Sequence, residues 1–102
     1  MGDNGRMATF AVLYDYSPDS ADARDEYRPA HREFLAGLQE RGLILLRGPY
    51  SDDAPAGALL IGRADTAQEL ERALDDDPFW LQHLIALRTV REWAVLSPSV
   101  LD

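Results

Sequence analysis

Two short stretches of this chain carry residue types that can move a proton. Arg28-Pro29-Ala30-His31 holds an imidazole, and Asp77-Pro78-Phe79, far downstream, holds a carboxylate. An imidazole titrates near pH 6.5 when unperturbed, so it can exchange a proton at neutral pH. A carboxylate bonded to one ring nitrogen fixes the tautomer and leaves the other nitrogen for general acid–base work. His31 and Asp77 are the candidate catalytic pair, and each has a plainer reading. His31 also fits a core histidine with one satisfied hydrogen bond. Asp77 also fits a helix N-cap. The two roles of Asp77 are compatible, because a carboxylate has about four acceptor sites.

Arg28 lies one helical turn before His31, close enough to share a pocket. It could hold a substrate carboxylate or phenolate through a forked hydrogen bond. It fits equally a surface ion pair with Asp25, Glu26 or Glu33, which would add little stability. Tyr14 could line the same cavity with its polar tip, or pack in the core. Phe79, Trp80 and Trp93 read as packing residues, and His83 as structural or exposed. The run Asp75-Asp76-Asp77 reads as solvated charge, since consecutive positions do not converge on one metal ion and no histidine spacing supports zinc. The chain has no cysteine, which removes thiolate catalysis, disulfides and thiolate metal sites together. It has no glycine-rich phosphate loop, nucleophile elbow or dinucleotide fingerprint. The expectation is chemistry without cofactor or metal.

The elements that must position these groups follow from pattern. Residues 8–14 are an apolar run of strand formers closed by the turn cluster Ser17-Pro18-Asp19-Ser20. Residues 22–27 suggest an irregular or short helical turn. A helix follows, with Tyr27, Ala30, His31, Phe34, Leu35 and Leu38 at helical spacing and Arg32, Glu33, Glu40 and Arg41 pointing away. Pro29 suits its first turn and would be costly further inside. Gly42 stops it. Leu43–Leu46 is a second strand, ended or bent by Gly48-Pro49. Residues 50–57 form a polar hairpin-type link to a third strand, Ala58–Gly62, pairing antiparallel with the second. Thr66-Ala67-Gln68-Glu69 is a capping box, and Ala67, Leu70, Ala73 and Leu74 give that helix its buried stripe. Asp77 caps a short helix with Pro78 at its first position. Thr89–Leu96 is the fourth strand.

The order β-α-β-β-α-β is that of an α+β, ferredoxin-like split βαβ: a four-stranded antiparallel sheet with helices on one face. A sheet with one wet face should alternate apolar and polar residues. These strands do not alternate cleanly, so a second copy of the chain is expected to cover the open face, giving a homodimer joined sheet to sheet.

The chain has 102 residues, 46% of them hydrophobic and 27% charged, which fits one domain with a modest core. Residues 1–6 read as a mobile lead-in and residues 7–102 as the domain. The formal charge is −8, and all ten basic residues are arginine. An acidic surface disfavours nucleic acid and anionic membranes. There is no apolar run of the roughly 20 residues a membrane helix needs, and no signal-peptide pattern. A cytoplasmic location is expected.

At this point the chain resembles the YciI-like (YCII-related) family of dimeric α-β barrel proteins. The matching pieces are Arg28-Pro29-Ala30-His31, then Gly42 with Leu45-Leu46 and Gly48-Pro49, then Asp77-Pro78-Phe79. The resemblance implies the ferredoxin-like dimer and a site in which His31 and Asp77 form a dyad, with Gly48, Pro49 and Phe79 joining Arg28 and Tyr14 at the substrate. It implies a small-molecule ligand, and a lyase or isomerase step of the kind shown by relatives resembling dehydrochlorinases of chlorinated hydroxyquinols and muconolactone isomerases. The chain departs from the family in residues 50–57, a short loop without family signal. Two readings stand: a small enzyme doing elimination or isomerisation on a cyclic or aromatic acid, and a non-catalytic binding or structural dimer module. In its structural form the second predicts that side chains fill the space around His31.

Overall fold

The structure is a computed structural model that describes residues 7–97, so the expected lead-in at 1–6 lies outside the described residues. Four strands, β1 (Ala8–Tyr16), β2 (Ile44–Pro49), β3 (Gly57–Ala64) and β4 (Ile85–Glu92), form one sheet in the order β2-β3-β1-β4. Every neighbouring pair is antiparallel. The helices are α1 (Ala21–Glu40), α2 (Ala67–Leu74) and the short α3 (Pro78–Leu81). This is the expected ferredoxin-like order, with the expected short helix at Pro78 before the last strand.

β1 is the central strand and its side chains alternate. Phe10, Val12 and Tyr14 are buried on the helix side, while Leu13 between them is exposed. On β3, Ala58 and Leu60 pair with Tyr14 and Val12 and share that inner face. Leu35 and Leu38 of α1, Leu70 and Leu74 of α2, and Phe79 of α3 close over it. The other face of the sheet is apolar and open: Leu13, Leu46, Leu59 and Leu87 are each 38–55% exposed. Both faces thus carry apolar side chains, which is why the strands do not read as apolar–polar alternation.

The largest departures from the expected boundaries lie in α1, β2 and β4. α1 starts at Ala21, well before Pro29, so the proline sits inside the helix rather than in its first turn. Ala23 and Tyr27 pack against the core and hold the early turns in place despite the missing N–H of Pro29. On the same helix, Ala30 is exposed although its spacing suggested burial. Gly48 and Pro49 belong to β2 itself, which a proline tolerates at the end of an edge strand. β4 starts at Ile85 and ends at Glu92, earlier than the expected Thr89–Leu96. The cause is His83, whose φ of 60° turns the chain sharply after α3. Trp93 therefore lies beyond the strand and is 47% exposed rather than packed.

The capping box at α2 is present with a shifted partner. The Glu69 N–H donates to Thr66 Oγ1 at 3.1 Å, while Glu69 Oε1 accepts from the N–H of Asp65, the residue before the cap. α2 comes close to β3: a Cβ on Gly62 would stand 2.6 Å from a Leu70 methyl, so a larger residue there would require the Leu70 side chain to shift. No helix among the described residues is long and apolar enough to cross a membrane.

Candidate functional site

His31 faces inward from the middle of α1, and Asp77 sits at the start of α3, where the extended backbone before Pro78 makes it the N-cap. One Asp77 oxygen accepts from the Phe79 N–H at 2.9 Å. His31 Nδ1 lies 2.8 Å and 2.9 Å from the two Asp77 oxygens. A carboxylate can only accept, so Nδ1 carries the proton, and Nε2 is the nitrogen left over. Asp77 is fully buried and His31 is 8% exposed.

Phe79 fixes the ring plane. Its ring stacks on the imidazole with centroids 3.8 Å apart and planes 4° from parallel. Tyr16 in turn meets Phe79 edge-on at 5.7 Å. The imidazole is thus held in tautomer by Asp77 and in orientation by an aromatic face.

In front of His31 lies a cavity of about 150 Å³ between α1, the inner face of the sheet and the end of β2. Of the residues singled out from sequence, Tyr14, Arg28, His31, Gly48, Pro49 and Phe79 all line it. Asp77 stands behind His31 rather than on the cavity wall. Side chains therefore do not fill the space beside His31, and that expectation of a purely structural module fails. Arg28 has both of its anticipated positions: it lines the cavity and pairs with Asp25.

Sequence reasoning missed four wall residues of consequence: Tyr16, Arg24, Arg32 and Arg47. Arg32, expected to point away, is exposed yet borders the cavity. The available signal was the spacing of Arg24, Arg28 and Arg32, four residues apart on one side of a helix. Arg24 is braced in place, donating from Nε to Ser20 Oγ at 2.9 Å with its guanidinium 4.7 Å from the Tyr16 ring centre. Arg47 donates from Nε to Gln39 Oε1 at 3.2 Å. Outside the cavity, Arg88 lies over the Trp80 ring at 3.8 Å and pairs with Asp75.

The Tyr14 hydroxyl is buried and, among the described residues, has no hydrogen-bond partner. Burial pushes its pKa well above the ordinary value near 10.0; the Asp77 carboxylate adds to the shift and the Arg88 guanidinium opposes it. Burial also raises Tyr16, with Arg24 opposing, Asp77 adding and Arg28 opposing. Both phenols are neutral donors at physiological pH. His83 is exposed; its backbone N–H donates to the Trp80 carbonyl and its own carbonyl accepts from Ser17 Oγ.

An antiparallel ferredoxin-like sheet with a carboxylate-backed histidine on the wall of a small cavity defines a class: an α+β protein of ferredoxin-like fold. The match to the YCII-related domain spans residues 8–94, and the chain belongs to that family. A search among curated proteins finds no match. Among solved structures, the chain is similar to a 5-chloro-2-hydroxyhydroquinone dehydrochlorinase, TftG, from Burkholderia phenoliruptrix, in complex with 2,5-dihydroxybenzoquinone. That likeness has a TM-score of 0.73 at 27% identity and covers 84% of this chain and 93% of the other. A Pseudomonas aeruginosa protein matches at TM-score 0.56 and 16% identity, covering 93% of this chain and 99% of its own. A Nitrosomonas europaea protein described as an antibiotic biosynthesis monooxygenase matches at 0.53 and 17%, covering 96% and 98%. These last two speak to the fold alone.

Proposed function

We propose that this protein is a small-molecule enzyme in which His31, oriented by Asp77, performs general acid–base chemistry on a small cyclic or aromatic acid. One observation carries the reading. His31 Nδ1 is engaged by both oxygens of a fully buried carboxylate, so Nε2 is the free nitrogen of a histidine that lines an open cavity. Nε2 would accept a proton from a substrate hydroxyl or carbon. The electron pair left behind would expel a leaving group as an anion in an elimination, or shift a double bond in an isomerisation. Asp77 would stabilise the imidazolium that forms, and Nε2 would then release the proton to product or water. Arg28 would hold an anionic oxygen of the substrate, and the neutral Tyr14 hydroxyl would donate to another. Gly48, Pro49 and Phe79 would shape the wall. The likeness to a dehydrochlorinase of a hydroxylated ring supports elimination as the first reaction to assay. The residues invoked supply no nucleophile or metal ligand set, and the reading involves no cofactor.

The experiment is turnover of chlorinated hydroxyquinols, phenolic acids and lactone acids by the protein and by His31→Ala. Loss of positioned proton transfer should lower kcat by about 100-fold or more. Circular dichroism should show the fold retained. Unchanged turnover in the variant overturns the assignment.

A further inference from the structure

The cavity wall carries an imbalance of charge that the proposed proton transfer does not require. Four arginines, Arg24, Arg28, Arg32 and Arg47, border it, and no aspartate or glutamate does, in a chain whose formal charge is −8. Three of them occupy successive turns of α1, an arrangement in which like charges repel and weaken the helix. Of the four, among the described residues, only Arg28 has a carboxylate within ion-pair reach. Arg24 is held rigidly by Ser20 and the Tyr16 ring, and Arg47 reaches back to α1 through Gln39. Repulsion retained at this cost, around a cavity, is the signature of a site that an anion neutralises when it binds.

The size narrows the occupant. A cavity of about 150 Å³ is that of the engineered pocket that accepts one benzene molecule. Here Tyr14, Tyr16 and Phe79 supply aromatic walls for a ring, and a neutral ring would leave the guanidinium groups without the anionic acceptors they bind best. We propose that the site selects a single six-membered ring bearing two anionic groups, and that Arg24, Arg32 and Arg47 are its specificity-determining residues. Arg28 already pairs with Asp25, which leaves the other three as the unmatched positive charge, more than one carboxylate can neutralise. This inference deepens the functional reading and rests on the same cavity, but it needs no turnover.

The test is isothermal titration of the full chain with benzamide, benzoate and phthalate, which share a ring and differ in charge. Phthalate should bind about tenfold tighter than benzoate, and benzamide weaker than either. Raising salt from about 50 to 300 mM should weaken phthalate more than benzoate. Arg32→Gln and Arg47→Gln alter exposed side chains, so both should fold as the parent does, and each should weaken phthalate about threefold or more without changing benzamide. Equal binding of the three probes, no binding of phthalate, or arginine variants indistinguishable from the parent overturns the proposal. His31→Ala separates the two readings. If that variant keeps phthalate binding while neither protein turns over any substrate, the acid–base reading falls and the dianion site stands. If turnover requires His31 yet charge makes no difference to binding, the reverse holds.

Discussion

Asp77 does two jobs with one side chain, and substitutions can separate them. In Asp77→Asn the amide oxygen can still accept from the Phe79 N–H, so stability should change by no more than about 1 kcal/mol. The amide N–H₂ would then face His31 Nδ1 and favour the tautomer with its proton on Nε2, which cannot act as a base. Turnover should fall by about 100-fold or more at nearly unchanged urea midpoint. Asp77→Ala removes the cap and strands two buried donors, and should cost about 2–4 kcal/mol in the same titration. Tyr14 gives a prediction in pH. Its folded pKa is raised above that of the unfolded chain, so the folded form keeps its proton where the unfolded form loses it. That stabilisation is complete below pH 10 and is lost as pH rises beyond it, by about 1.4 kcal/mol per pH unit for one group. Denaturation from pH 9 to 11.5 should show this decline, and Tyr14→Phe should flatten it, leaving a weaker slope from Tyr16.

Among the elements, α1 is the one that sequence pattern located least well, and the reason is Pro29. A proline with a helical apolar stripe after it and an acidic stretch before it reads as a helix start. In the structure the helix runs through it, because Tyr27 and Ala23 are bound to the core. Pro29→Ala would restore the i→i−4 donor missing from the helix. The gain, up to the roughly 3 kcal/mol cost of an internal proline, is reduced by the extra freedom of the unfolded chain. The melting temperature should rise, and a fall would show that this helix prefers its proline. β4 was misplaced for a different reason. Apolar residues occur on both sides of its true end, and its start is set by a turn at His83, a residue type that does not announce positive φ. For His31 and Asp77, pattern placed one group on the apolar side of a helix and the other at a proline-marked cap, while their pairing was implied by the family resemblance; the hydrogen bond between them is seen in the folded chain. The arginine wall was not legible, because Arg47 joins Arg24 and Arg32 only once β2 folds beside α1.

For the whole molecule, the open face of the sheet is the unfinished feature. Leu13, Leu46, Leu59 and Leu87 lie exposed on strands whose other sides form the core. Contiguous exposed apolar area of this kind marks association surfaces. We expect two copies to meet there. The protein should sediment as a dimer at micromolar concentration, and Leu59→Asp, which puts a charge in the middle of that face, should shift it to a monomer of unchanged secondary structure. A parent protein that sediments as a well-folded monomer when dilute would remove the expectation.

The bond from Asp77 to the Phe79 N–H ties the imidazole's support to α3, a helix of only four residues. Yet Asp77 and Phe79 are buried among the core side chains, and early opening belongs to segments with few such contacts. The anchor of the imidazole should therefore let go together with the core on warming, not ahead of it.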